Sequence, residues 1–285
     1  MSTDVYTIEA QNDKNLPSYD SQQEPEPRDL YQYLMNEISD PRVADWPLMS
    51  NPLSILIILF LYLLFVLHIG PNYMKNRLPC SLVNIMICFN IFTATGSGIL
   101  AFGMLTSGYT TSLSLGCEPV DFSYNSESLS MARWVWWLML LRIFELSDTV
   151  IFVFRKKQNQ LSFLHIYHHC ITVILAWIVC KYAPGGMWTF IMILNSVVHV
   201  VMYSYYLLTC LGPWMQSKIT PWKQYLTRLQ LLQFVIMMIH TSQALLPSCE
   251  PTRKPLAYLY MFHEIMIFYM FWNFYKKNYT TKKVD

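Results

Sequence analysis

His165, His168 and His169 stand at i, i+3 and i+4 in an otherwise apolar stretch. On a helix all three reach one site. Ionisable groups in apolar, membrane-depth segments are costly and point to a working site by default. A neutral imidazole can attack a thioester and hold the acyl group as an acyl-imidazole. A second His or an Asn can then stabilise an oxyanion or an enolate. The same spacing also suits a metal, because His165 and His169 match the i, i+4 pair of helical zinc sites.

Three further segments carry polar stripes. Arg142, Glu145 and Asp148 repeat every three residues and lead into Thr149. They form either part of a site or an ion-pair cluster that locks helices together. Asn195, His199 and Tyr203 are four apart and are followed by Tyr205 and Tyr206. Thr227, Gln230, Gln233 and His240 share one face, although a single Gln in a bundle is more often interhelical glue than a ligand. Four stripes on four segments imply an enclosed polar cavity. His68 and His263 are isolated and read as structural or interfacial. Membrane di-iron oxygenases also use an HxxHH box, but they spread histidines over several boxes. Seven His in total, two of them outside the cluster, argue against that site. The expectation is no metal and no other cofactor. A single ion held by His165, His169 and a carboxylate is the rival reading.

The elements that must position these residues are membrane helices. Hydrophobic residues are 54% of the 285, and charged residues only 13%, against roughly 25% in a soluble domain. So much apolar surface excludes disorder over most of the length. A net charge of +2 gives no basic field for nucleic acid, and seven Cys are too few for a disulfide scaffold. Seven apolar segments are long enough to span, at roughly 53–69, 81–105, 131–154, 163–181, 187–210, 225–246 and 256–275. No period-two pattern suggests a barrel. Gly70-Pro71-Asn72, Pro184-Gly185-Gly186, Gly212-Pro213 and Pro247 punctuate the segments, and Gly96-Ser97-Gly98 offers a close approach to a neighbour. The expected organisation is a polar N-terminal tail or cap over 1–50, a seven-helix membrane domain over 51–275 and a basic tail over 276–285.

Orientation follows from Lys and Arg. With the N-terminus outside the cytosol, the cytosolic side receives Lys75, Arg77, Arg155, Lys156, Lys157, Lys218, Lys223, Lys276, Lys277, Lys282 and Lys283. The other side receives Arg133, Lys181, Arg253 and Lys254. Lys282-Lys283-Val284-Asp285 resembles a dilysine signal for return to the endoplasmic reticulum, or is simply a solvated basic tail. Cys117 and Cys249 fall on the non-cytosolic side, where they either pair or remain two free thiols. Arg155, Lys156 and Lys157 lie at the cytosolic mouth of the cluster. They either hold phosphates or are only the topology signal. A receptor or transporter fits seven helices too, but the polar side chains gather toward the cytosolic half, with no evident route through.

The four motifs together resemble those of the very-long-chain fatty acid elongases of the ELO family, over about residues 41 to 275. The family's KxxExxDT appears as Arg142, Glu145, Asp148 and Thr149. HxxHH is His165, His168 and His169. NxxxHxxMYxYY is Asn195, His199, Met202, Tyr203, Tyr205 and Tyr206, and TxxQxxQ is Thr227, Gln230 and Gln233. Arg142 departs from the family's lysine: the charge is kept and the donor geometry changes. The resemblance implies an all-α integral membrane fold with six of seven helices enclosing a narrow acyl-chain tunnel, open to the cytosol and closed toward the lumen. It implies a 3-oxoacyl-CoA synthase that condenses acyl-CoA with malonyl-CoA in the endoplasmic reticulum membrane, without a cofactor. Implied partners are the reductases and dehydratase of the elongation cycle, with homo- or hetero-oligomers among elongases. The expected roles are His168 as nucleophile, with His199 assisting from the facing helix. His165, His169, Arg142, Glu145, Asp148, Asn195, Tyr203, Tyr206, Gln230, Gln233 and His240 form the supporting shell.

Overall fold

The computed structural model describes residues 27–249 and 254–280, and among them all regular structure is helical. A short helix, α1 (Pro27–Gln32), precedes the bundle. The long segments follow in chain order: α2 (Leu53–Leu64) with α3 (Gly70–Met74), α4 (Val83–Met104), α5 (Ser126–Glu145) with α6 (Ser147–Phe154), α7 (Phe163–Tyr182) and α8 (Trp188–Thr209). After the short α9 (Pro213–Ile219) come α10 (Lys223–Ser242) and α11 (Lys254–Tyr275). Among the described residues four segments are long and apolar enough to cross a membrane: Leu53–Met74, Val83–Tyr109, Phe163–Tyr182 and Trp188–Thr209. The chain is therefore a multi-pass membrane protein. α10 and α11 are 20 and 22 residues long and also turn large apolar side chains outward, such as Ile239 and Phe262. The most extensive helix pair is α4 with α8, and α10 with α11 and α5 with α7 follow.

Three local expectations change. Gly70-Pro71 does not end the first segment. A π turn over Phe65–Ile69 carries the helix into α3, with Pro71 just after the turn, where the hydrogen-bond register shifts. The third segment starts earlier than 131, because the Asn125 side chain caps α5 by accepting from Ser128 N at 2.8 Å. It also breaks at Leu146, where two i→i−3 bonds replace the α pattern. Gly96 and Gly98 leave ordinary space for a Cβ; the intimate contact is at Gly103, against the Trp134 ring.

The described end of the N-terminal region is a packed cap. Asp40 and Arg42 are buried and paired, with Nη2 at 2.7 Å from Oδ2. Arg42 Nη1 also donates to the carbonyls of Asp121 at 2.7 Å and Ser123 at 3.1 Å. Asp121 lies outside the helices. The backbone N–H of Ser123, with help from the Ser123 and Asn125 side chains, holds its carboxyl below the usual range. Asp40 N donates to Lys181 O, and the indoles of Trp136 and Trp177 donate to the carbonyls of Pro47 and Leu48. Cys117 and Cys249 are joined in a disulfide at the same end. The acidic stretch of residues 1–26, Arg253 and the dilysine residues Lys282 and Lys283 lie outside the described residues.

Candidate active site

α5 and α8 bring the first group together. Arg142 and Glu145 occupy the last turn of α5 and are both buried. Arg142 Nη1 lies 2.7 Å from each Glu145 oxygen and 2.6 Å from His199 Nδ1. Nη2 donates to Asn195 Oδ1 at 2.8 Å. His199 Nδ1 is 3.2 Å from Glu145 Oε1. A buried ion pair needs such extra bonds, since desolvation otherwise exceeds its attraction. The break at Leu146 sends the next two motif residues elsewhere. Asp148 accepts from the Tyr203 phenol at 3.0 Å, and Tyr206 packs edge-on against Tyr203. Thr149 Oγ1 bonds His165 Nε2 at 2.9 Å and Tyr62 OH at 2.8 Å.

α7 supplies the histidine box, capped by Ser162, which accepts from His165 N. The His165 and His169 rings are 4.3 Å apart. The His168 ring lies 5.8 Å from the His169 ring, 6.4 Å from the His199 ring and 6.3 Å from Phe271. Among the described residues its ring nitrogens have no hydrogen-bond partner, and its side chain keeps partial exposure, whereas His169 is buried. An imidazole with unengaged nitrogens opposite a second, anchored imidazole is suited to nucleophilic work.

Other expected residues stand apart. Gln230 and Gln233 direct their amides at the sulfurs of Met202 and Met237. His240 bonds the Met187 carbonyl at 2.9 Å and lies on Phe190, so it fastens α10 to the turn before α8. Arg155, Lys156 and Lys157 line a cavity of about 440 Å³ with residues Pro79 to Val83 at the far end of α6. Among the described residues no group of three His, Cys, Asp or Glu converges as metal ligands. Glu145 pairs with Arg142, and Asp148 accepts from Tyr203. The sequence reading missed Tyr62 and Phe271, single aromatics in apolar runs with no periodic signal. It also passed over Glu264 on α11, a buried carboxyl whose Oε1 accepts from Thr241.

Fold and site thus define an integral membrane protein built around a buried cluster of imidazoles and one compensated ion pair. The chain belongs to the ELO family, described as the GNS1/SUR4 family, whose model matches residues 47–285. It is 41% identical over 255 residues to very long chain fatty acid elongase 1 of Mus musculus, covering 89% of this chain and 91% of that protein. The corresponding Homo sapiens protein is 39% identical over 255 residues, with the same coverage of 89% and 91%. Very long chain fatty acid elongase 4 of Homo sapiens is 41% identical over 246 residues, covering 86% and 77%.

Proposed function

We propose that this protein is the condensing enzyme of very-long-chain fatty acid elongation, a 3-oxoacyl-CoA synthase. His168 attacks the thioester carbonyl of a long-chain acyl-CoA. The C–S bond breaks, CoA leaves as the thiol with the imidazole proton, and an acyl-imidazole remains. Malonyl-CoA then loses CO2, and its C2 carbanion, held as the enolate, attacks the acyl carbonyl. The C–N bond breaks, the expelled imidazolate takes up one proton from solvent to become neutral imidazole again, and the product is a 3-oxoacyl-CoA two carbons longer. The observation that carries this reading is the unengaged ring of His168 opposite the anchored ring of His199. The named activity of its relatives supports it.

In this reading six of seven spans enclose an acyl tunnel that opens beside the Arg155–Lys157 cavity, where the three cations meet CoA phosphates. The excess of Lys and Arg at that end supports a cytosolic position for it, with the N-terminus luminal. The endoplasmic reticulum is the expected membrane. The reductases and dehydratase that consume the product are the expected neighbours, homo- or hetero-oligomers with other elongases are expected, and neither metal nor redox cofactor takes part. The test uses purified protein in detergent, a panel of acyl-CoAs and labelled malonyl-CoA, with and without chelator, read by mass spectrometry. The expected product is the 3-oxoacyl-CoA, insensitive to chelator and absent with His168→Ala. Normal turnover in a folded His168→Ala protein would remove His168 from the mechanism.

A further inference from the structure

We infer that Arg142 is a positioning residue that sets the hydrogen-bond pattern of the condensing site; the inference rests on the roles proposed above for His168 and His199. A guanidinium only donates. Nη1 has two hydrogens. One meets His199 Nδ1 at 2.6 Å, and the other is shared by the Glu145 oxygens at 2.7 Å each. Nδ1 of His199 therefore accepts, and the ring proton sits on Nε2. The opposite tautomer would donate from Nδ1 to Glu145 Oε1 at 3.2 Å, but it would set one N–H against another across the shorter contact. The shorter contact decides the tautomer.

Asn195 is fixed by the same group. Its Oδ1 accepts from Nη2 at 2.8 Å, so its amide hydrogens are free for another acceptor. Asn195 and His199 are one turn apart on α8. One guanidinium thus leaves two neighbouring N–H donors, His199 Nε2 and Asn195 Nδ2. Paired donors stabilise an oxygen on which negative charge develops, such as the enolate oxygen after decarboxylation. A lysine has one nitrogen and cannot place separate nitrogens on His199 and Asn195. The fork is this chain's own solution at a position where the family pattern carries lysine.

The test compares Arg142→Gln, Arg142→Lys, Asn195→Ala and the double variant Arg142→Gln/Asn195→Ala. Each is purified as a monodisperse protein in detergent. Condensation kinetics and the mass of protein acylated by acyl-CoA alone are both measured. Arg142→Gln is expected to lower kcat for condensation roughly 100-fold or more. KM for acyl-CoA should move less than about threefold, and the acyl adduct should form as in the unsubstituted protein. Arg142→Lys should recover at least about tenfold of the lost rate, as a charge without the fork. The double variant should lose less than the product of the single losses, because Arg142 acts partly through Asn195. Loss of the adduct in step with condensation, no recovery by lysine, or fully independent losses would overturn the inference. If the unsubstituted protein condenses without any adduct, the role of His168 fails, and the kcat losses and their coupling still judge Arg142.

Discussion

The phenol of Tyr203 on α8 donates to Asp148 Oδ2 on α6 at 3.0 Å, and both side chains are buried. The bond ties the broken half of the third long segment to the helix that carries His199. Removing the donor leaves a buried acceptor unpaired, which costs about 1–3 kcal/mol. Tyr203→Phe is therefore expected to lower thermal stability in detergent by that amount. Asp148→Asn retains an accepting oxygen and should lower it less. A melting series in which Asp148→Asn is the more damaging change would place the stabilisation elsewhere.

Thr149 links two helices that the sequence separates widely. Its hydroxyl lies 2.8 Å from Tyr62 OH on α2 and 2.9 Å from His165 Nε2 on α7. Thr149→Val keeps the shape and removes both bonds. The expected loss is about 1–3 kcal/mol of stability, with slower condensation as the His165 ring loses its anchor. Thr149→Ser keeps the hydroxyl and should restore both stability and rate. An undamaged Val variant beside a damaged Ser variant would show that the methyl group, not the hydroxyl, is what the site uses.

What was legible in the sequence was local. The i, i+3, i+4 spacing of His165, His168 and His169 and the four-residue spacing of Asn195, His199 and Tyr203 place each set on one helical face, and the structure keeps those faces. The cross-helix partners were not legible. Tyr62 meets Thr149 across 87 positions and Arg142 meets His199 across 57, and no local periodicity encodes either. Even spacing of Arg142, Glu145 and Asp148 suggested one continuous face. The turn at Leu146 instead gives the first two residues to His199 and Asn195 and the third to Tyr203. The cap at Asp40 and Arg42 was hidden for a different reason. Its partners include the backbone carbonyls of Asp121 and Ser123, which carry no residue signature.

The Cys117–Cys249 disulfide bridges a separation of 132 residues between the loop after α4 and the segment before α11. Closing so long a loop restricts the unfolded chain, with a stabilisation of about 2–5 kcal/mol. Cys117→Ala and Cys249→Ala should each reduce thermal stability by a similar amount. The double variant should do no more than either single, since one bond is lost in all three. Reducing agent should lower the melting temperature of the unsubstituted protein and leave the double variant unmoved. Additive losses from the two single variants would mean that each sulfur acts through its own packing.

Glycine is required in the turn before α8 for two independent reasons. Gly186 has φ of +54°, a conformation that costs other residues energy. A Cβ there would also lie 2.6 Å from the carbonyl oxygens of both Glu118 and Pro119. Those are backbone atoms, and Glu118 O already accepts from Met187 N at 3.0 Å, so they cannot yield without breaking the loop that holds Cys117. Gly98 is the contrasting case on α4. A Cβ there would meet only Val200 Cγ2 at 3.7 Å, an ordinary contact, in a helix where alanine is favoured over glycine by about 1 kcal/mol. Gly186→Ala is expected to destabilise by about 1–3 kcal/mol or more, and Gly98→Ala to be neutral or stabilising. Paired melting curves decide the matter. A tolerated Gly186→Ala would mean that the loop from Glu118 to Pro119 shifts freely, and a damaging Gly98→Ala would mean that the face of α4 toward α8 is tighter than the 3.7 Å gap implies.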